Sequence, residues 1–176
     1  HPCSRKIGPG TYGFNTGHIF DVDNTFPEST TQALLRGRQM AEQYHRLFRE
    51  NLPAFRDSIL VSTGAMLGIR ETRRIVGDYL LTVDDYLARA SFPDEICRNA
   101  YAIDVHESKE KSIALAKKTI SELKERLPQV MRRFGKGESF GVPYRCLTPK
   151  GLENVLVAGR CISTDRQANG SVRIMA

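Results

Sequence analysis

The tightest constraint on this chain lies near its end, in ENVLVAGRCISTDRQANGSVRIMA, Glu153 to Ala176. A short apolar run, Val155 to Ala158, drives into Gly159 and Arg160. Apolar runs of this length bounded by polar residues read as buried strands. A glycine at the end of such a strand lets a ligand approach the backbone closely. In open α/β sheets, ligands collect at the carboxyl ends of the strands. The run therefore predicts a buried strand whose end, Gly159-Arg160, faces a bound molecule.

The rest of the chain sets the bounds. Its 176 residues allow one domain with a proper core, or one domain plus a piece of another. It begins with His1 rather than Met, so a trimmed N-terminus is expected. No apolar run approaches transmembrane length and no signal peptide is visible, so no membrane partner is expected and the default location is the cytoplasm. Cys3, Cys97, Cys146 and Cys161 lie far apart without a CxxC, so they spell neither a metal site nor a cluster and read as free thiols. The net charge is +6, and 18 of the 26 basic residues are arginine. These arginines are scattered and lack an aromatic-interleaved stripe, so nucleic acid is not the expected partner. Arginine is also the residue best suited to gripping carboxylates and phosphates on small molecules.

Strands and helices alternate irregularly along the chain. Thr11 to Val22 reads as one or two short strands with glycine turns. Pro27-Glu28-Ser29-Thr30 opens a helix whose stripe (Ala33, Leu34, Met40, Ala41, Tyr44, Leu47, Phe48) carries it to about Asn51, before Pro53. Ser58 to Thr63 is β-rich, and Ile69 to Thr82 reads as one long strand or two broken at Gly77. Thr82 and Asp85 match a capping box opening a short helix to about Arg89. Ala100 to His106 alternates like a half-buried strand, Lys109 to Leu127 is helical and charged, and Ser139 to Pro149 is another strand. No internal repeat appears. The mixture predicts an α+β arrangement, or an α/β protein seen in part.

Several constellations carry chemistry. Arg70, Glu71, Arg73 and Arg74 crowd one segment. Facing a pocket they would bind an anion or stabilise developing negative charge. An exposed strand with paired charges is the plainer alternative, and the residues alone favour it. On a regular strand Arg70 and Arg73 point to opposite faces, so a shared pocket requires a bulge. His106, ending a strand two residues after Asp104, is a candidate acid or base, though structural histidines are commoner. Tyr144-Arg145 is able to orient a carbonyl or carboxylate, or to pack on a core edge. The Lys109–Lys136 region reads as a solvated helix packing one apolar stripe. After Gly159-Arg160, Ser163, Thr164, Gly170 and Ser171 offer small side chains and N–H groups to a phosphate or ribityl chain. No GxGxxG or GxxxxGK[ST] is present, so any phosphate-binding half must lie elsewhere.

Taken together, FNTGHIFDVD, LLRGRQMAE, GIRETRRIVGDYLLTVDD, FPDEICRNAYAIDVH and GVPYRCLTPKGLENVLVAGRCISTDRQANGSVRIM resemble the FAD-dependent oxidoreductases, among them the heterodisulfide reductase A-like flavoproteins. The words run in order through nearly the whole chain, and 107–138, which carries no match, reads as a helical insertion. The resemblance implies an α/β protein of two parts, of which this chain is the C-terminal portion. Residues 1–139 would form a substrate or cap region with a mixed or antiparallel sheet. Residues 140–176 would return to a Rossmann-type FAD domain whose N-terminal GxGxxG half is absent.

Position by position, the resemblance puts Ala158, Gly159, Arg160 and Ser163 by the ribityl–diphosphate of FAD. It puts Gly170, Ser171, Arg173, Ile174 and Met175 around the isoalloxazine, and Arg70, Arg73, His106, Tyr144 and Arg145 toward the substrate. The implied activity passes hydride or electrons between FAD and a small-molecule substrate, with a further electron donor or acceptor. His106 or Tyr144 would handle a proton. The alternative is a non-catalytic fragment or interaction module that binds no cofactor by itself. A sheet edge left open would favour a homo-oligomer.

Overall fold

A computed structural model describes residues 3–106 and 134–174. The helix expected over Lys109–Leu127, the 107–138 insertion up to residue 133, and Met175 lie outside the described residues. The chain divides into two compact units, His1–Ile69 and Arg70–Ala176. Among the described residues there are two antiparallel two-stranded sheets and three α-helices, a mixed α and β content as expected.

In the first unit, β1 (Cys3–Gly8) pairs antiparallel with β2 (Thr11–Asn15), with Cys3 opposite Asn15 and Lys6 opposite Tyr12. Gly10, at φ 65°, turns the hairpin in a conformation that disfavours other residues. Helix α1 (Pro27–Asn51) has the expected bounds. Pro27 sits at the start, where its missing N–H costs nothing. No side chain caps the helix at Phe26; instead Asp23 folds the approach, accepting from the Thr25 N–H at 2.9 Å, while Ser29 Oγ accepts from the Asp23 N–H at 3.0 Å. Pro53 closes the far end in a short 3-10 turn, Pro53–Phe55. Rings of Phe14, Phe48 and Phe55 pack with centroids 5.2–5.8 Å apart. Ser58 to Thr63, read as β-rich, forms no strand, and Ile59 and Val61 are 79% and 73% exposed. A β-favouring composition becomes a strand only where a second backbone answers it, and among the described residues none does.

The second unit holds the core: Leu81, Tyr86, Ile103, Phe140, Val142, Cys146, Ile162, Ala168 and Val172. Strand β3 (Glu95–Asn99) runs antiparallel to β4 (Phe140–Pro143), which passes into a 3-10 turn at Tyr144–Cys146. Helix α2 (Val83–Ala88) begins on the expected capping box: Asp85 Oδ2 accepts from the Thr82 N–H at 2.9 Å, and Thr82 Oγ1 from the Asp85 N–H at 3.4 Å. It ends on Arg89, which is left-handed at φ 55°. Helix α3 (Arg166–Val172) occupies what read as a small polar loop.

Three segments are laced together beneath these elements. Ile75, Tyr79 and Leu81 donate backbone N–H bonds to Cys161, Arg145 and Ser163, and Ser163 donates to Cys146. The long strand expected at Ile69–Thr82 is thus held by scattered bonds and isolated bridges at Gly77 and Leu81 rather than by one ladder. Gly77 marks no break: a Cβ there would lie 2.7 Å from Ser163 Cβ and 3.0 Å from the Arg145 carbonyl, so the crossing requires glycine. The 100–106 segment forms no strand either; its Asp104 N–H donates to Gly170 O at 3.3 Å. The run Val155–Ala158 forms no strand and is not buried: Val155 and Leu156 are 43% and 57% exposed. It is tied down by the Val157 N–H donating to Leu147 O at 2.9 Å and by Cys161 Sγ donating to Ala158 O at 3.4 Å. Apolar character alone does not bury a segment when no sheet among the described residues receives it.

Candidate functional site

The site grows from the contact between α3 and the 99–106 segment. Asp165 caps α3, its Oδ1 accepting from the Ala168 N–H at 2.6 Å. Gly170 lets the neighbouring backbone lie directly on the helix, since a Cβ there would stand 2.7 Å from Val105 Cγ2 and 3.4 Å from the Asp104 backbone. Ser171 Oγ donates to Tyr101 O at 2.6 Å and accepts from Asn99 Nδ2 at 3.2 Å, fixing the register. The consequence is that Asp104 comes to rest beside Arg173, one turn beyond Gly170.

Asp104 is the organising group. Arg70 Nη2 donates to its Oδ2 at 2.6 Å and to its carbonyl at 2.7 Å. Arg173 Nη2 reaches the same two oxygens at 2.8 and 3.2 Å. His106 Nε2 stands 3.6 Å from Oδ1. Burial pushes the Asp104 carboxyl up, but the Arg70 hydrogen bond, with the charges of Arg70, Arg173 and His106, holds it below the usual carboxylate range. Burial, followed by repulsion from Arg70, lowers Arg173; Asp104 offsets this in part. A second pairing lies alongside: Arg166 Nε on Glu71 Oε1 at 3.3 Å and Arg74 Nη1 on Glu71 Oε2 at 2.6 Å. Arg166 Nη2 also donates to His106 O at 3.4 Å. Arg70, Glu71, Asp104, His106, Arg166 and Arg173 line a half-open cavity of about 90 Å³ with Val105, Asn169 and Gly170.

The residues singled out in the sequence divide between this cavity and other places. Arg70 and His106, expected on the substrate side, meet Gly170 and Arg173, expected at the flavin, around one cavity. Arg73 is exposed and does not line it. Tyr144 and Arg145 lie in the 3-10 turn after β4. There Arg145 Nε pairs with Asp94 Oδ2 at 3.0 Å and its guanidinium lies 5.1 Å from the Tyr79 ring. Ser163 is buried at 1% exposure in the laced segments. Ile174 is 44% exposed, and Met175 lies outside the described residues. The cysteines are free thiols, and burial pushes Cys146 up to about 11. Among the described residues no three His, Cys, Asp or Glu side chains are grouped to hold a metal, and no helix is long and apolar enough to cross a membrane.

The sequence reading gave no site role to Asp104 or Arg166, and it noticed Glu71 only as a member of the Arg70–Arg74 cluster. One signal was available for Asp104: on an alternating segment it shares the face of His106, two residues on.

The chain matches the FAD dependent oxidoreductase family over residues 4–176, and it belongs to that family. No curated protein and no solved structure matches it. Membership implies FAD as the family's cofactor and a flavin oxidoreductase role. The 90 Å³ cavity is too small for FAD, because pockets for ligands of that size span about 300–1,000 Å³. Gly170 and Ser171 are filled or bonded by their neighbours, so they do not fit a cofactor's approach. The turn Ala158–Arg160 does fit: it is exposed, Gly159 is at φ 89°, and no atom of the described residues beyond its own neighbours lies within 4 Å of where its Cβ would stand.

Proposed function

We propose that this chain is the C-terminal portion of a flavin-dependent oxidoreductase passing hydride or electrons between FAD and a small anionic substrate. The match over residues 4–176 carries the reading. The quoted sequence words support a place among the heterodisulfide reductase A-like flavoproteins, with residues 1–139 as substrate region and 140–176 returning to a Rossmann-type domain. In this reading the exposed turn Ala158–Arg160 holds FAD through its backbone. FAD, when bound, supplies the electron transfer itself. Arg70 and Arg173 bind and orient the substrate's negative charge. Asp104 positions His106, which holds or moves a proton at its ring nitrogens. A cytoplasmic location, a separate electron donor or acceptor and a homo-oligomer belong to the same proposal.

A visible absorption spectrum of the purified protein, from the full reading frame, tests the cofactor first. Flavin bands are expected; a protein that stays colourless after incubation with FAD overturns the reading. With flavin bound, His106→Ala is expected to slow flavin reduction by about 100-fold while FAD affinity stays within a few-fold. Arg70→Ala is expected to act in the same direction. Unchanged reduction in both variants removes them from the site.

A further inference from the structure

The cavity beside Asp104 carries more positive charge than its own carboxylates answer. Three guanidiniums line it, Arg70, Arg166 and Arg173, against two carboxylates, Glu71 and Asp104. Glu71 is divided between Arg166 and Arg74, and Asp104 between Arg70 and Arg173. Both arginines on Asp104 use the same nitrogen, Nη2. A guanidinium presents five N–H donors in a rigid fork, so Nε and Nη1 of each carry donors that no group among the described residues takes up in these bonds. Arg173 has only 12% of its side chain exposed, so solvent answers little of that demand. Its lowering by burial and by Arg70 points the same way: two guanidiniums crowd one carboxylate, and a second anion would relieve them.

The size of the space narrows the ligand. One water occupies about 30 Å³ in the liquid, so 90 Å³ takes a group of roughly three or four heavy atoms. That admits a carboxylate with its first carbon; a ring or a branched carbon would have to lie in the open mouth rather than within the cavity. The cavity is half open, so the remainder of a longer molecule has a way out.

The structure assigns this cavity as a binding site for the carboxylate end of an unbranched organic acid, gripped by Arg70 and Arg173 beside His106. Its role as the substrate's end group rests on the function proposed above; the anion site itself does not. Calorimetric titration of the protein with sodium acetate, at constant ionic strength held by chloride, tests it. Saturable one-to-one binding is expected, with trimethylacetate at least 10-fold weaker. Arg70→Lys keeps the charge but loses the fork, and is expected to weaken acetate at least 10-fold. Arg173→Met is expected to abolish binding, and Arg46→Gln, the same loss of charge in the first unit, to leave it unchanged. No saturable acetate binding in the wild type, or equal binding in Arg70→Lys and Arg46→Gln, overturns the assignment. Acetate binding by a protein that never takes up FAD keeps the anion site and removes only the flavin reading.

Discussion

The two compact units of this chain are held in different ways. In the first, among the described residues, Ala33 is the one buried hydrophobic residue; α1, the hairpin and a cluster of half-exposed rings do the rest. In the second, nine buried side chains drawn from residues 81 to 172 form a single core. The difference teaches where the chemistry sits. Every member of the arginine–carboxylate cluster belongs to the second unit. Only a core that fixes distant segments holds Arg70 and Arg173 each within a hydrogen bond of Asp104.

Three substitutions break or sharpen this contrast. The largest effect is expected from Phe140→Ala, because Phe140 is fully buried, stacks on Phe134 and meets Tyr86 edge-to-face. Its loss should cost about 3–5 kcal/mol in urea unfolding, whereas Phe14→Ala, in the first unit at 38% exposure, should cost about 1 kcal/mol. Equal costs would erase the distinction between the units. Next comes Asp165→Ala, which takes the acceptor from Ala168 N–H and, 82 residues away in sequence, from Val83 N–H. A loss of about 2 kcal/mol is expected, near the upper end for a capping residue; a loss within error would mean that neither bond supports the core. The smallest effect is expected from Asp104→Asn. The carboxyl of Asp104 is depressed when folded, so its charge contributes stability above the unfolded value near 3.9 and loses it as pH falls through the folded value. At pH 6 the variant should be weaker by under about 1 kcal/mol, since the group is 39% exposed and screened by solvent. Urea midpoints of the two proteins should converge below about pH 4; a gap that persists in acid would show that the charge is not what matters.

How much the sequence disclosed follows the same division. The bounds of α1 were legible because prolines mark both ends and one apolar stripe joins them. The start of α2 was legible because a capping box is written within four residues. Strand β3 escaped, since Glu95–Asn99 becomes a strand only by meeting Phe140–Pro143. Helix α3 escaped for a subtler reason. Asp165 is a proper cap, but Asn169, Gly170 and Ser171 are poor helix formers. Burial against residues 99–105 overrides that preference, and Gly170 is where the packing is closest. The glycine that argued against a helix is what allows this helix to seat. In the candidate site, Arg70 and His106 were visible as residue types, while Asp104 was hidden because its role depends on Arg173, 69 residues on. Arg73 does stay out of the cavity that Arg70 lines, but alternation is not the reason: residues 70–76 form no strand, and adjacent Arg70 and Glu71 both line the cavity.

Asp165 has one more consequence. Its two oxygens hold amides in the first turns of two different helices, Val83 in α2 and Ala168 in α3. Neither helix can unwind at its start without releasing the carboxylate that steadies the other. In hydrogen–deuterium exchange the opening turns of α2 and α3 should therefore keep one clock, though 82 residues separate Val83 from Asp165 in the sequence.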